Sequence, residues 1–89
     1  MGEVQELLND LFQEHVINVQ RYRKDIKNKD LLELYGLYKQ SVDGDCQESN
    51  NFKSFKEKKM YESWYSMRGR DNDETKQLFI NKVTNIIKN

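Results

Sequence analysis

Leu31-Leu32-Glu33-Leu34-Tyr35-Gly36-Leu37-Tyr38-Lys39-Gln40 is the stretch from which the rest of the chain can be read. A helix through it sets Tyr35, Tyr38 and Lys39 at spacings of three and four, on one face. Leu34, Leu37 and Ser41 fall on a neighbouring stripe that can point into a core. Two phenols and an ammonium together offer rings for stacking, hydroxyls for hydrogen bonding and one cation. Such a surface suits a planar base joined to a phosphate. Periodicity alone also permits a plainer reading, two tyrosines packed at a helix–helix contact with Lys39 solvated beside them.

Working outward, this second helix is expected to open at Asp30, with Glu33 completing a capping box, and to end near Val42. Asp43-Gly44-Asp45 is a turn signal. Gly36 in mid-helix costs about 1 kcal/mol against Ala and is tolerated where something must approach the backbone. Upstream, a first helix is expected from about Glu3 to Arg23. Val4, Leu7, Leu8, Leu11, Phe12, His15, Val16, Val19 and Tyr22 make its apolar stripe. Acids at its start and Arg21, Arg23 and Lys24 at its end suit the helix dipole. His15 has no second metal ligand a turn away and reads as a packed or rim histidine.

Downstream, the polar run from Asp43 to about Lys53 is long for a bundle connection and favours a crossover. Ser54 and Glu57 form a capping box for a third helix, which carries Lys58, Lys59, Met60, Tyr61, Trp64, Tyr65 and Met67 and stops at Gly69. Asp71 and Glu74 open a fourth, with Leu78, Phe79, Ile80, Val83, Ile86 and Ile87 as its apolar face. Proline is absent, so nothing interrupts these helices. The expected fold is all-α: a four-helix bundle with a long connection between helices two and three, one domain over residues 1–89.

Composition bounds the function. An apolar content of 36% and a mean hydropathy of −1.01 lean toward disorder, but zero net charge and the four Phe, five Tyr and one Trp supply a core from few residues. Fifteen bases balance fifteen acids, so no global field favours nucleic acid or an anionic membrane. Lone Cys46 cannot form an internal disulfide, which fits a reducing compartment. There is no membrane-length apolar run and no leader pattern, and Glu6 stands where a myristoylation start needs Ser or Thr, so the expected address is cytoplasmic.

No catalytic constellation is visible. Cys46 lies in the polar linker, His15 in an apolar stripe, and the carboxylates are spread over helix faces. Arg21, Arg23, Lys24, Lys27 and Lys29, and separately Lys53, Lys56, Lys58 and Lys59, form basic clusters near aromatics, which keeps nucleic-acid binding as an alternative. Both clusters are bounded by acids, and no recognition helix stands out. A helical protein-interaction module is a third reading.

The string from Leu34 to Asp45, LYGLYKQSVDGD, resembles the signature of the acyl-CoA-binding protein family. The similarity continues in Phe55-Lys56, Tyr61-Glu62-Ser63-Trp64, Arg68-Gly69 and Phe79-Ile80-Asn81-Lys82-Val83, from about Phe12 to the C-terminus. The resemblance implies a small four-helix protein that binds long-chain acyl-CoA thioesters. It implies a cytoplasmic, monomeric carrier and pool former, not an enzyme, with no cofactor, metal or nucleic-acid partner and with transient contacts to acyl-CoA-using enzymes or membranes. In the family the 3′-phosphate of CoA meets tyrosine and lysine side chains, and Tyr35, Tyr38 and Lys39 match that motif unchanged. Leu31 and Leu32 match apolar positions of the site, and Phe12 an aromatic near the head group. Two positions depart: Met60 stands where the family has a phosphate-binding lysine, and Phe79 where it has a tyrosine. Lys59 or Lys56 is then expected to replace the missing cation. Gln20 similarly stands for a family lysine at the end of helix one.

Overall fold

Apolar residues recurring every three to four positions produce four helices in the computed structural model, which describes residues 2–88. They are α1 (Gly2–Arg21), α2 (Asn28–Asp43), α3 (Phe55–Tyr65) and α4 (Asn72–Lys88), and no strand occurs among the described residues. Two of the expected caps form. The Ser54 hydroxyl accepts the amide of Glu57 at 3.1 Å, and the Asp71 carboxylate accepts those of Asp73 and Glu74 at 3.0 and 3.3 Å.

The third does not form. Helix α2 starts at Asn28, with Lys27 at the N-cap and no side-chain cap, so Asp30 lies inside its first turn. Its carboxylate instead meets Lys82 of α4 at 3.2 Å, and Glu33 pairs with the same ammonium. An interhelical cation outcompetes the orphan amides for both acids. Helix α1 stops at Arg21, short of Arg23, because a 3₁₀ turn over Arg23–Asp25 carries the chain inward to buried Ile26. Helix α3 also ends before Gly69: the amides of Met67 and Arg68 bond three residues back, which tightens the chain out of α-geometry at Tyr65.

Successive pairs fix the helix directions. Gln5 bonds Asp73 at 3.0 Å, Lys76 bonds Asn9 at 2.8 Å, and the Phe12 ring meets Phe79 edge-on at 5.1 Å. Both numbers of each pair rise together, so α1 and α4 run parallel. Helix α2 lies antiparallel to α4, joined by Ser41 to Thr75 at one end and by Asp30 to Lys82 at the other. The core holds Phe12, Leu34, Leu37, Phe79, Ile80 and Val83. The apolar stripe of α1 is broader than this core uses: Leu8, Val16 and Val19 pack against it, whereas Val4, Leu7 and Leu11 stay exposed.

Helix α3 contributes no fully buried residue and is held through α2. At their crossing, a Cβ built on Gly36 would stand 2.5 Å from the carbonyl oxygen and 2.6 Å from the hydroxyl of Ser63. That hydroxyl also donates to the carbonyl of Leu32. Trp64 adds a hydrogen bond from its indole N–H to the carbonyl of Gly44 at 2.8 Å. Gly36→Ala would normally stabilise a helix by about 1 kcal/mol. Here the clash is with backbone, and overpacking of about 1–3 kcal/mol should dominate. Thermal unfolding of Gly36→Ala is expected to fall by about 4–8 °C for each kcal/mol of net loss; a midpoint raised above the parent would show that the helices have room to spare.

Candidate functional site

The inward stripe of α2 is Leu34, Leu37, Gln40 and Ser41, all buried. A rotation of about 100° per residue then turns Tyr35, Tyr38 and Lys39 to one side of that stripe, half-buried. The Tyr38 ring stacks on Phe12 with centroids 6.0 Å apart and planes 14° from parallel, and Phe12 in turn packs on Phe79. Phe12 and Phe79 are 1% and 2% exposed, so the structure sets both beneath Tyr38 rather than at the surface. An aromatic column thus fixes the tyrosine from below. Phe79 belongs to the hydrophobic core, where a side chain without a hydroxyl brings no polar group that needs a partner.

Lys39 occupies the junction of α2 and α3. Its ammonium pairs with the carboxylate of Asp43, one turn on, and lies 4.7 Å from the centroid of the Trp64 ring. The Asp43 hydrogen bond raises the lysine pKa above its ordinary value and outweighs the opposing effect of burial. The Trp64 indole is itself locked by Gly44, so the ring stays under the cation.

On α3, Lys56, Met60, Ser63 and Trp64 lie at spacings of three and four, and the last two touch α2. Met60 is half-buried and Lys56 exposed. No ion pair holds Lys56 among the described residues. Lys59 lies on another side, 3.5 Å from a carboxylate oxygen of Glu62 and 5.3 Å from the Phe55 ring. The geometry therefore groups Met60 with Lys56 and sets Lys59 apart. Leu31 and Leu32, half-buried, occupy the early turns of α2.

Two residues that sequence reasoning overlooked shape this end of α2. Gln40, 1% exposed, donates from its amide to Asp45 at 2.8 Å and to the carbonyl of Arg70 at 3.1 Å. The same Asp45 oxygen accepts the amide of Gly69 at 2.8 Å. Gly69 has a φ of 85°, in the left-handed region that glycine adopts freely, and that turn aims its N–H at Asp45. A glutamine within an apolar stripe was the available signal. The connection that follows is pinned to α3 at Tyr61, whose ring meets Phe52 at 4.9 Å and whose hydroxyl accepts the amide of Ser49 at 3.1 Å. Cys46 lies in that connection, as expected, but is buried there, and burial pushes its thiol pKa up.

His15 sits at the rim of α1 and α4: its Nδ1 is 2.7 Å from the carbonyl of Leu11 and its Nε2 3.4 Å from the hydroxyl of Thr84. Two grooves, of about 280 and 370 Å³, flank α4, the first beside His15 and the second beside Leu37 and Met67. Neither includes Tyr35, Tyr38 or Lys39. Those three side chains are half-buried, so each keeps part of its surface exposed to a ligand.

The sequence model of the family described as "Acyl CoA binding protein" matches residues 9–83. An acyl-CoA-binding protein of Brassica napus is 35% identical over 81 residues, covering 90% of this chain and 88% of its own. One from Dictyostelium discoideum is 34% identical over 70 residues, covering 78% and 83%. The crystal structure of Oryza sativa acyl-CoA-binding protein 2 superposes with a TM-score of 0.87 at 26% identity, over 94% of this chain and 92% of that one. The chain belongs to the acyl-CoA-binding protein family, and its all-α four-helix bundle is that family's fold.

The Asp45 bonds carry a pH signature. The Gly69 amide first, and Gln40 second, hold its carboxyl below the ordinary value. A lowered native pKa makes the carboxylate stabilising above the unfolded value of about 3.9, and that contribution disappears as pH falls through the native value. Asp45→Asn should therefore melt below the parent at neutral pH and converge with it as pH falls through the lowered native value. Melting curves that differ by the same amount at every pH would contradict this role.

Proposed function

We propose that this chain binds long-chain fatty acyl-CoA thioesters and acts, as one domain over residues 1–89, as a non-enzymatic intracellular carrier and pool former for them. The observation that carries the reading is the Tyr35–Tyr38–Lys39 face: two phenols and an ammonium, half-buried on one side of α2 and braced by an aromatic column and a fixed indole. The CoA 3′-phosphate would meet Lys39 and the Tyr35 hydroxyl, and the adenine would lie by the Tyr38 ring. Leu31, Leu32 and Met60 would offer apolar contact to the acyl chain or the base. Phe12 and Phe79 would act from beneath, by holding Tyr38. The named relatives from Brassica napus and Dictyostelium discoideum support the ligand class.

Met60 supplies no charge, so a second cation must come from elsewhere on α3. Lys56 suits that task better than Lys59, because it shares the side of Met60 and Trp64 and Lys59 is engaged with Glu62 and Phe55. No described helix is long and apolar enough to cross a membrane. A cytoplasmic monomer that exchanges ligand with enzymes and membranes by transient contact fits this picture, and the bound thioester is its ligand, with no cofactor required.

Calorimetry with palmitoyl-CoA, free CoA and palmitate tests the reading. Palmitoyl-CoA should bind far more tightly than either half, since it alone fills both the charged and the apolar parts; equal affinity for palmitate would overturn the proposal. Lys39→Ala should weaken binding by about 1.5–3 kcal/mol, the range for hydrogen bonds to charged groups. Lys56→Ala should weaken it about tenfold and reduce its salt dependence, with Lys59→Ala close to the parent. A larger loss from Lys59→Ala would reverse the assignment. Binding of RNA with a steep salt slope and no response to palmitoyl-CoA would favour the basic clusters instead.

A further inference from the structure

The last residue of α2 is an acid. A carboxylate at a helix C-terminus faces the negative end of the helix dipole and the unpaired carbonyls of the last turn, which is unfavourable unless something compensates. Asp43 has one ion-pair partner among the described residues, and that partner is Lys39. The placement is also fixed. Trp64 bonds the carbonyl of Gly44, the next residue, while its ring lies under the Lys39 ammonium. Indole, ammonium and carboxylate thus form one assembly at the α2–α3 junction, with the side chains 25% exposed for Lys39 and 44% for Asp43.

We propose that Asp43 is a specificity-determining residue of the acyl-CoA site: it holds the Lys39 ammonium, and a ligand gains that cation only with a phosphate anion strong enough to share or displace the carboxylate. The inference rests on the acyl-CoA reading above and adds a competitor to it. An ammonium has three donors and can serve two anions, so the ligand need not expel Asp43. The incoming phosphate and the carboxylate then repel each other across the shared cation. A phosphomonoester with about two negative charges near pH 7 outcompetes a single carboxylate, and a ligand lacking it meets a cation already neutralised. Asp43 therefore sets a charge threshold at Lys39, lowering affinity for a ligand that brings a phosphomonoester to that ammonium and leaving contacts made elsewhere on the face untouched.

The test is a comparison of palmitoyl-CoA and palmitoyl-3′-dephospho-CoA on the parent protein, Asp43→Asn and Asp43→Ala. Both substitutions should tighten palmitoyl-CoA by about two- to tenfold, the scale of a part-exposed ion pair and the repulsion it relieves. Neither should alter the dephospho ligand. The salt dependence for palmitoyl-CoA should steepen, because a repulsive charge has been removed. Thermal melting should be unchanged or raised, as the acid opposes the helix dipole. Parent protein that binds palmitoyl-CoA with no tightening in either variant would overturn the role of Asp43 alone. Equal tightening of both ligands would show a general effect on the face and also overturn it. A parent that fails to bind palmitoyl-CoA removes the functional reading and this inference with it.

Discussion

The absence of a side chain at Gly36 is the constraint on which the architecture turns. Helix α3 buries no residue of its own in the central core, so its position depends on how closely its backbone can approach α2. At Gly36 the carbonyl of Ser63 comes inside the space that any Cβ would fill. The Ser63 hydroxyl then reaches the carbonyl of Leu32, and Trp64 is carried over Lys39 and onto Gly44. A larger residue at position 36 would lift all three contacts at once. The helix penalty of glycine is thus exchanged for a binding face assembled from two helices.

That face gains its character from charges kept near the surface. Lys39 lies between a ring and a carboxylate, half-buried, with its pKa raised by the pairing and not depressed by burial. The cation keeps its proton, and the fixed Trp64 ring beneath it limits its freedom, which lowers the entropy to be lost when an anion arrives. The aromatic column from Phe79 through Phe12 to Tyr38 does the same for the ring beside it. Rigidity here comes from the small core, so the bundle's stability and its ligand geometry share the same residues.

Much of this was legible in the sequence, for reasons that can be stated residue by residue. Ser54 and Asp71 cap the helices they were expected to cap, because each has a local amide as its best partner. Asp30 was misread: Lys82 lies 52 positions away in the sequence, and no local pattern announces an interhelical ion pair. Leu34, Leu37 and Ser41 point inward as their spacing required, and Gly36 marked a close approach without naming Ser63 as the neighbour. The stripe on α1 overstated burial, since periodicity shows which face is apolar but not how much of its length another helix covers. The Gln40–Asp45–Gly69 clamp and the seating of Lys39 on Trp64 depend on the turns that follow α2 and α3, which spacing within a helix cannot reveal.

An α2–α3 face built this way should hold an intact acyl-CoA. Mass spectrometry of the protein under non-denaturing conditions, after isolation from cells that make long-chain acyl-CoA, tests it most directly. A fraction of the protein should carry one ligand whose added mass is that of a long-chain acyl-CoA, and that species should be lost in Lys39→Ala. Parent protein that emerges with no such adduct, and acquires none on incubation with palmitoyl-CoA, would contradict it.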